Sequence, residues 1–155
     1  MRKRLAALGV LVAVVGVGVA NLMLTPASSQ VTANRFTVTF PKASPDDIID
    51  VGKKGFSPGD MLIFRGNLTR SGKRVGYIWT KASVLRPKGS LSLAEATFRI
   101  FGKGQLTAQG RIYFSRKNQG KLAITGGTGD YRRASGTVGS TAFKKVKLHF
   151  DVVTP

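Results

Sequence analysis

The sequence predicts an all-β fold, an eight-stranded antiparallel barrel, and three observations support this prediction. Apolar and polar residues alternate with a period of two through most of the chain after residue 30, as they do in half-buried strands. Polar turn signals separate these segments at short intervals. Closely spaced glycines at 126–136 suit a tight corner between strands. A closed barrel fits because closure removes exposed sheet edges.

Residues 1–29 are predicted to form an export signal or an N-terminal anchor, and residues 30–155 a single domain. Three cations at 2–4 precede an almost wholly apolar stretch at 5–24, and small residues follow at 25–29. The apolar stretch is about 20 residues, long enough to span a bilayer, so a cleaved signal and a retained anchor both stay open. Both alternatives predict an exported protein whose domain works outside the cytoplasm, either secreted or anchored.

Composition narrows the classes of partner and of chemistry. The formal net charge is +18, which favours attraction to an anionic envelope surface. The cations are scattered in ones and twos and form no element that could read a nucleic-acid groove, so no specific nucleic-acid partner is predicted. The chain has no cysteine, which excludes disulfides, thiolate metal sites and a cysteine nucleophile.

Eight segments after the predicted signal carry the strand pattern. The last shows it clearly, because Val146, Leu148 and Phe150 share one face while Lys147 and His149 share the other. The segments are 36–40, 61–68, 75–85, 93–101, 106–114, 121–125, 136–143 and 146–152. One helical turn is also predicted at 44–47, where a serine N-cap, a proline and two aspartates follow one another.

Three motifs that resemble functional sites are better explained by structure. The spacing at 127–129 begins a dinucleotide fingerprint, but its third glycine would fall on Arg132, so a strand corner is favoured. The acidic stretch 46–50 matches the metal-diphosphate motif of terpene cyclases, which needs a large helical domain, so helix capping is favoured here. His149 is the only histidine, which excludes a multi-histidine metal site and favours a polar strand face.

Two sets of strand residues have alternative interpretations. Glu95, the only glutamate, could point inward as a buried general acid or base with a pKa raised by desolvation. It could instead point outward and pair with Arg99 or another cation, which is the favoured alternative. Tyr77 and Trp79 share a strand face, and they could line an apolar cavity or fill the core, the latter being favoured.

The glycine corner at 126–136 resembles the Gly-Gly-Thr-Gly corner of dirigent proteins and of the allene oxide cyclase barrel. Other elements follow in the same order. The dipeptide Gly59-Asp60 opens a strand, and Val75-Gly76 follows a short loop. The stretch that runs from residues 95–98 to residues 109–110 is similar to the Glu-Ala-Thr-Tyr to Gln-Gly stretch of allene oxide cyclases.

This resemblance implies an eight-stranded calycin-like barrel with a largely apolar lumen, an exported member of bacterial type, in families whose members often form homotrimers. Such relatives steer the cyclisation or coupling of reactive apolar substrates chiefly by shape. The chain departs from them in two places. Allene oxide cyclases carry a glutamate and an asparagine on the first strand, where this chain has only Thr37 and Thr39, and dirigent proteins usually have arginine where Ser135 stands. Neither specific activity is carried over.

The predicted function is an exported barrel that binds a small apolar ligand, leaning towards a cofactor-independent isomerase or cyclase that steers its substrate in the lumen. No cofactor and no metal are required. The candidate catalytic residues are Glu95, Tyr77 and Asp60. The candidate ligand-binding residues are Trp79, Gln109, Tyr113, Phe64 and Phe98. Alternation alone leaves open which strand face lines the lumen.

The alternative function is a non-catalytic carrier or an envelope-associated polyanion-binding barrel, because a fold does not fix a function. If variants of Glu95 and Tyr77 lose turnover but still bind ligand, the protein is a cyclase. If the binding affinity falls steeply as the salt concentration rises, the protein binds polyanions.

Overall fold

The computed structural model describes residues 31–41, 44–87, 91–114, 120–141 and 145–155, so the predicted signal or anchor at 1–29 lies outside the described residues. The described chain is almost entirely β structure. Its strands are β1 (Thr32–Phe40), β2 (Asp47–Ile49), β3 (Met61–Arg70), β4 (Lys73–Arg86), β5 (Leu91–Ile100), β6 (Gly104–Tyr113), β7 (Lys121–Gly127), β8 (Ser135–Thr141) and β9 (Val146–Thr154).

Eight of these strands form a closed antiparallel barrel. The sheet runs in the order β1-β9-β8-β7-β6-β5-β4-β3, with β2 added at the outer edge of β3. A pairing of β1 with β3, in which Thr39 lies opposite Thr69, closes the circle. Each of the eight predicted strand segments corresponds to one barrel strand, so the predicted fold class and strand count are confirmed.

The predicted helical turn at 44–47 is wrong, because this segment instead leads into β2. Asp47 to Ile49 pair with β3 in antiparallel register. The carboxylate of Asp46 accepts a hydrogen bond from the backbone N–H of Arg65 at 2.6 Å, and the N–H of Asp46 donates to the carbonyl of Ile63 at 2.7 Å. Pairing with the neighbouring strand therefore satisfies the groups that a helix cap was expected to satisfy.

The glycine corner joins β7 to β8 and is confirmed as a structural corner. A short 3₁₀ helix at Gly129–Tyr131 fills it, and the φ of Gly129 is 61°, in the left-handed region that glycine adopts without strain. At Gly127 a Cβ atom would lie 2.5 Å from the carbonyl oxygen of Gln105 and 2.6 Å from that of Tyr131. Only glycine permits this close approach of three backbone segments.

The corner brings Tyr131 into an aromatic cluster that closes one end of the barrel. The Phe36 ring stacks on Phe150 with centroids 4.6 Å apart and faces Tyr131 at 6.4 Å. The edge of Phe98 meets Phe150 at 5.0 Å. We call this end the closed end. Each of these contacts joins residues far apart in sequence, so the cluster ties β1, β5, β9 and the corner together.

The opposite end, which we call the Ser92 end, carries the connections β1–β2, β4–β5, β6–β7 and β8–β9. The pairings of Leu91 with Tyr113 and of Phe40 with Val146 lie there. Within the described ranges, no helix is long and apolar enough to cross a membrane.

Candidate functional site

The sequence-predicted site residues divide between the two faces of the barrel wall. Phe64 and Phe98 are buried and point into the lumen. Five others lie on the outer face, because each alternates with an inward-facing neighbour; these are Tyr77, Trp79, Glu95, Gln109 and Tyr113. The exposed fraction of Trp79 is 42%. The structure therefore answers the question of facing that alternation left open, and the favoured expectation that Tyr77 and Trp79 fill the core is wrong.

Three of the outer residues line one shallow groove of about 510 Å³ across β4, β5 and β6, namely Trp79, Glu95 and Gln109. The Tyr77 ring lies beside Trp79, with the centroids 4.5 Å apart. Glu95 is already paired with Lys81 at 3.0 Å, which is the outward alternative that the sequence favoured. The roles proposed for these side chains stay predictions, and a role in the lumen would have to be indirect.

Asp60 is buried at the start of β3, where it organises the loop that precedes this strand. Its carboxylate accepts hydrogen bonds from the backbone N–H of Val51 at 2.9 Å and of Ser57 at 2.6 Å. The Ser57 hydroxyl adds a third at 3.2 Å. The two backbone donors hold the pKa of Asp60 below its usual value, although burial acts in the opposite direction. This carboxylate is therefore ionised at neutral pH and serves as a loop anchor.

The strongest candidate site in the lumen centres on Ser92 near the start of β5. Ser92 pairs with Val84 on β4 and Ile112 on β6, and all three side chains face inward. Its exposed fraction is 0%, and its Oγ has no hydrogen-bond partner in the described structure. Because a buried polar atom normally has a partner, this hydroxyl indicates a position that a ligand could complete.

Small side chains continue from Ser92 along the same inward face. Four alanines, which we call the alanine wall, occupy adjacent inward positions on three neighbouring strands: Ala82, Ala94, Ala96 and Ala108. The rings of Phe64 and Phe114 stack with their centroids 5.6 Å apart at an angle of 20°. The inward face therefore combines a wall of small side chains with one stacked pair of aromatic rings.

The chemistry available inside the lumen is limited. None of the buried strand side chains in the described ranges carries a formal charge, and Ser92 is the polar one among them; the buried carboxylate of Asp60 lies just before β3. Within the same ranges no three histidine, aspartate or glutamate side chains cluster as metal ligands would. At the closed end, burial and then the charge of Asp130 raise the pKa of Tyr131, which keeps its phenol neutral.

Sequence reasoning missed Ser92 and the alanine wall. A signal was present, because Ser92 has the same parity as Ala94, Ala96 and Phe98 along β5. That parity places Glu95 on the opposite face. The single glutamate drew attention to the outer face of this strand, while the inward serine looked like an ordinary polar strand residue.

The sequence matches no protein-family model, and no curated protein matches it. The structure is similar to solved barrels. Pyocyanin demethylase superposes with a TM-score of 0.62 at 25% identity, over 79% of this chain and 100% of that one. The pterocarpan synthase dirigent protein GePTS1 gives 0.62 at 15%, over 87% of this chain and 96% of that one. A second pterocarpan synthase dirigent protein, PsPTS1, gives 0.58 at 16%, over 80% and 94% respectively. The chain thus shares the barrel fold of dirigent proteins and pyocyanin demethylase.

Proposed function

We propose that this protein binds a small, largely apolar molecule in the lumen of its barrel, beside Ser92 and the alanine wall. The observation that carries the proposal is the fully buried Ser92 hydroxyl without a partner. Leaving such a group unpaired costs about 1–3 kcal/mol. A ligand with one hydrogen-bonding group and an apolar body would remove that cost and pack against the alanines.

The reaction that suits this lumen is conformational steering. The buried strand side chains of the described ranges offer no charged acid or base, so catalysis would depend on holding one reactive conformer and excluding water. A cofactor-independent isomerase or cyclase works in this way. The same lack of charged groups favours the second candidate, a carrier that binds its ligand without converting it.

Pyocyanin is a suitable first probe. The whole length of pyocyanin demethylase is similar in structure to 79% of this chain. The molecule is planar and aromatic and carries a polar oxygen, which fits a stacked phenylalanine pair beside a free hydroxyl. Pterocarpans, the compounds after which the two dirigent proteins are named, form a second probe set. Isothermal titration calorimetry would report binding, whereas quenching of the single tryptophan would also report binding in the outer groove that contains Trp79.

The matched pair of variants is Ala94→Leu in the lumen and Ala123→Leu on the outer face of β7. Ala94 is fully buried and inward, whereas Ala123 is exposed. Ala94→Leu should abolish probe binding, and Ala123→Leu should leave it unchanged. Overpacking costs about 1–3 kcal/mol, so melting curves must show that both variants are folded. Unchanged binding in a folded Ala94→Leu protein would contradict the lumen site.

Export and assembly form a separate part of the proposal. We propose that residues 1–29 direct export and that residues 30–155 form the working domain, which assembles as a homotrimer. The cationic start and apolar stretch support export, and the trimer follows from the resemblance of the glycine corner to families whose members often form homotrimers. Native mass spectrometry of the protein recovered outside the cytoplasm would give the processed mass, the number of copies and any co-purified small molecule. A full-length monomer recovered from the cytoplasm would contradict both points.

A further inference from the structure

A second groove crosses the outer face of the barrel on β8, β9 and β1, away from the Trp79 groove and outside the lumen. Its volume is about 560 Å³. We call it the His149 groove. Its polar lining comes from Arg35, Thr37, Arg70, Lys121, Thr137, His149 and Asp151.

The floor of the His149 groove is fixed and flat. His149 lies between two threonines, with Nδ1 3.0 Å from Thr37 Oγ1 and Nε2 2.9 Å from Thr141 Oγ1. Beside it in register stands Gly139, which has no side chain. The imidazole is therefore held by its neighbours on both sides, and the floor between it and Lys121 carries no side chain at Gly139.

Unpaired cations stand at both ends of the groove. Arg70 ends β3 and Lys121 begins β7, and neither has an acidic partner within 4.0 Å in the described part of the chain. Going around the wall, β1, β9 and β8 lie between these two strands. Four strand spacings correspond to about 19 Å along the sheet. The two charges thus suit an extended anion better than a single small one.

The middle of the groove carries an ion pair. Arg35 Nε lies 3.4 Å from Asp151 Oδ1, and the Asp151 side chain is 47% exposed. This carboxylate can accept hydrogen bonds from ligand hydroxyls, but it repels a ligand that presents only negative charge. The lining therefore selects for anionic groups separated by hydroxyl donors.

We propose that the His149 groove binds a linear acidic polysaccharide, with ligand carboxylates at Arg70 and Lys121 and ligand hydroxyls donating to Asp151. Each exposed ion pair is weak alone, so binding requires a ligand that engages both ends at once. The site is separate from the lumen proposal, because none of its charged residues is buried. The excess of positive charge in the chain would assist the encounter.

The test uses polygalacturonate, polyphosphate and neutral dextran as probes for the purified protein, with affinity measured at several salt concentrations. The unmodified protein should bind polygalacturonate, with binding that weakens as salt rises, and should not bind dextran. The variant Arg70→Gln/Lys121→Gln should lose about 10-fold in affinity for polygalacturonate. The matched control, Arg99→Gln/Lys103→Gln, removes the same charge elsewhere on the exposed surface and should change affinity less than about 2-fold.

Asp151→Asn distinguishes the saccharide from a bare polyanion. Removing this carboxylate should raise the affinity for polyphosphate about 3-fold, because a repulsive charge is lost, while polygalacturonate gains less. If the two double variants lose the same affinity for polygalacturonate, the proposal is overturned, because binding then depends on the overall surface charge and not on the His149 groove. Tighter binding of polyphosphate than of polygalacturonate by the unmodified protein would also overturn it.

Discussion

Lys81 and Glu95 face each other in direct register across β4 and β5, with Nζ 3.0 Å from Oε2, on the outer face of the barrel. The exposed fractions of the two side chains are 47% and 56%. The only glutamate of the chain is therefore a partly exposed member of an ion pair, and a wall of backbone separates it from the lumen.

Replacing Glu95 with glutamine should have little effect on the lumen or on stability. An exposed ion pair contributes at most about 1 kcal/mol, so Glu95→Gln should lower the free energy of unfolding by no more than that. Probe affinity and any turnover should stay within about 2-fold of the unmodified protein. Chemical denaturation measures the free energy of unfolding, and probe titration measures the affinity. Lys81→Met is the matched variant, because it removes the other member of the ion pair. A large loss of turnover in Glu95→Gln would support the catalytic role that the sequence suggested.

Ser92→Ala should separate stability from binding. Removing a buried hydroxyl without a partner should raise the free energy of unfolding of the ligand-free protein by about 1 kcal/mol. If the hydroxyl binds ligand, probe affinity should fall about 5-fold in the same variant. Ser83→Ala removes a hydroxyl from the outer face of β4 and should change neither quantity. A Ser92→Ala protein that is less stable than the parent would show that the hydroxyl has a partner.

The sequence was sufficient to predict the eight barrel strands but not their facing. Both faces of the segment at 75–79 carry large apolar groups, since Tyr77 and Trp79 alternate with Ile78. An alternation with a period of two residues therefore identifies a strand, but it does not show which face of that strand is buried. The structure selects the Ile78 side, because it continues into Ala82 and Val84, while the Trp79 side continues into Lys81.

Tertiary pairing explains the other differences. The cap signal at Ser44 and Asp46 is local, whereas the β3 edge that captures β2 is known only after folding. The glycine corner could be predicted because the need for glycine there is visible within one short segment of sequence. The unpartnered state of the Ser92 hydroxyl depends on three strands meeting around it, and no segment of sequence contains that information.

Gly127→Ala should destabilise the barrel by crowding alone. The new Cβ would meet the carbonyl oxygens of Gln105 and Tyr131 at 2.5 and 2.6 Å, and backbone atoms have little freedom to withdraw. We expect a loss of about 1–3 kcal/mol in the free energy of unfolding. The control is Gly139→Ala, where the nearest atom lies 3.9 Å away on the flexible Lys121 side chain. Equal melting temperatures for the two variants would contradict this account of the corner.

Asp60 should make stability depend on pH in the acid range. Backbone hydrogen bonds from Val51 and Ser57 hold the pKa of the folded-state carboxyl below its usual value. The stabilisation is therefore fully present above the unfolded-state pKa and is lost as pH falls through the folded-state pKa. Asp60→Asn should lower the melting temperature by several degrees at neutral pH, since an amide offers one acceptor oxygen where the carboxylate offers two.

The difference between Asp60→Asn and the parent should shrink as the pH falls below about 4, because the parent carboxyl then takes up a proton and loses its advantage. Denaturation curves collected from neutral pH to pH 2 would measure this convergence. Asp50→Asn is the matched control, because Asp50 lies in the same loop, is exposed and accepts one backbone hydrogen bond, from Gly55. Its effect at neutral pH should be smaller. A constant gap between Asp60→Asn and the parent across this range would show that shape or packing, and not the charge of Asp60, holds the loop.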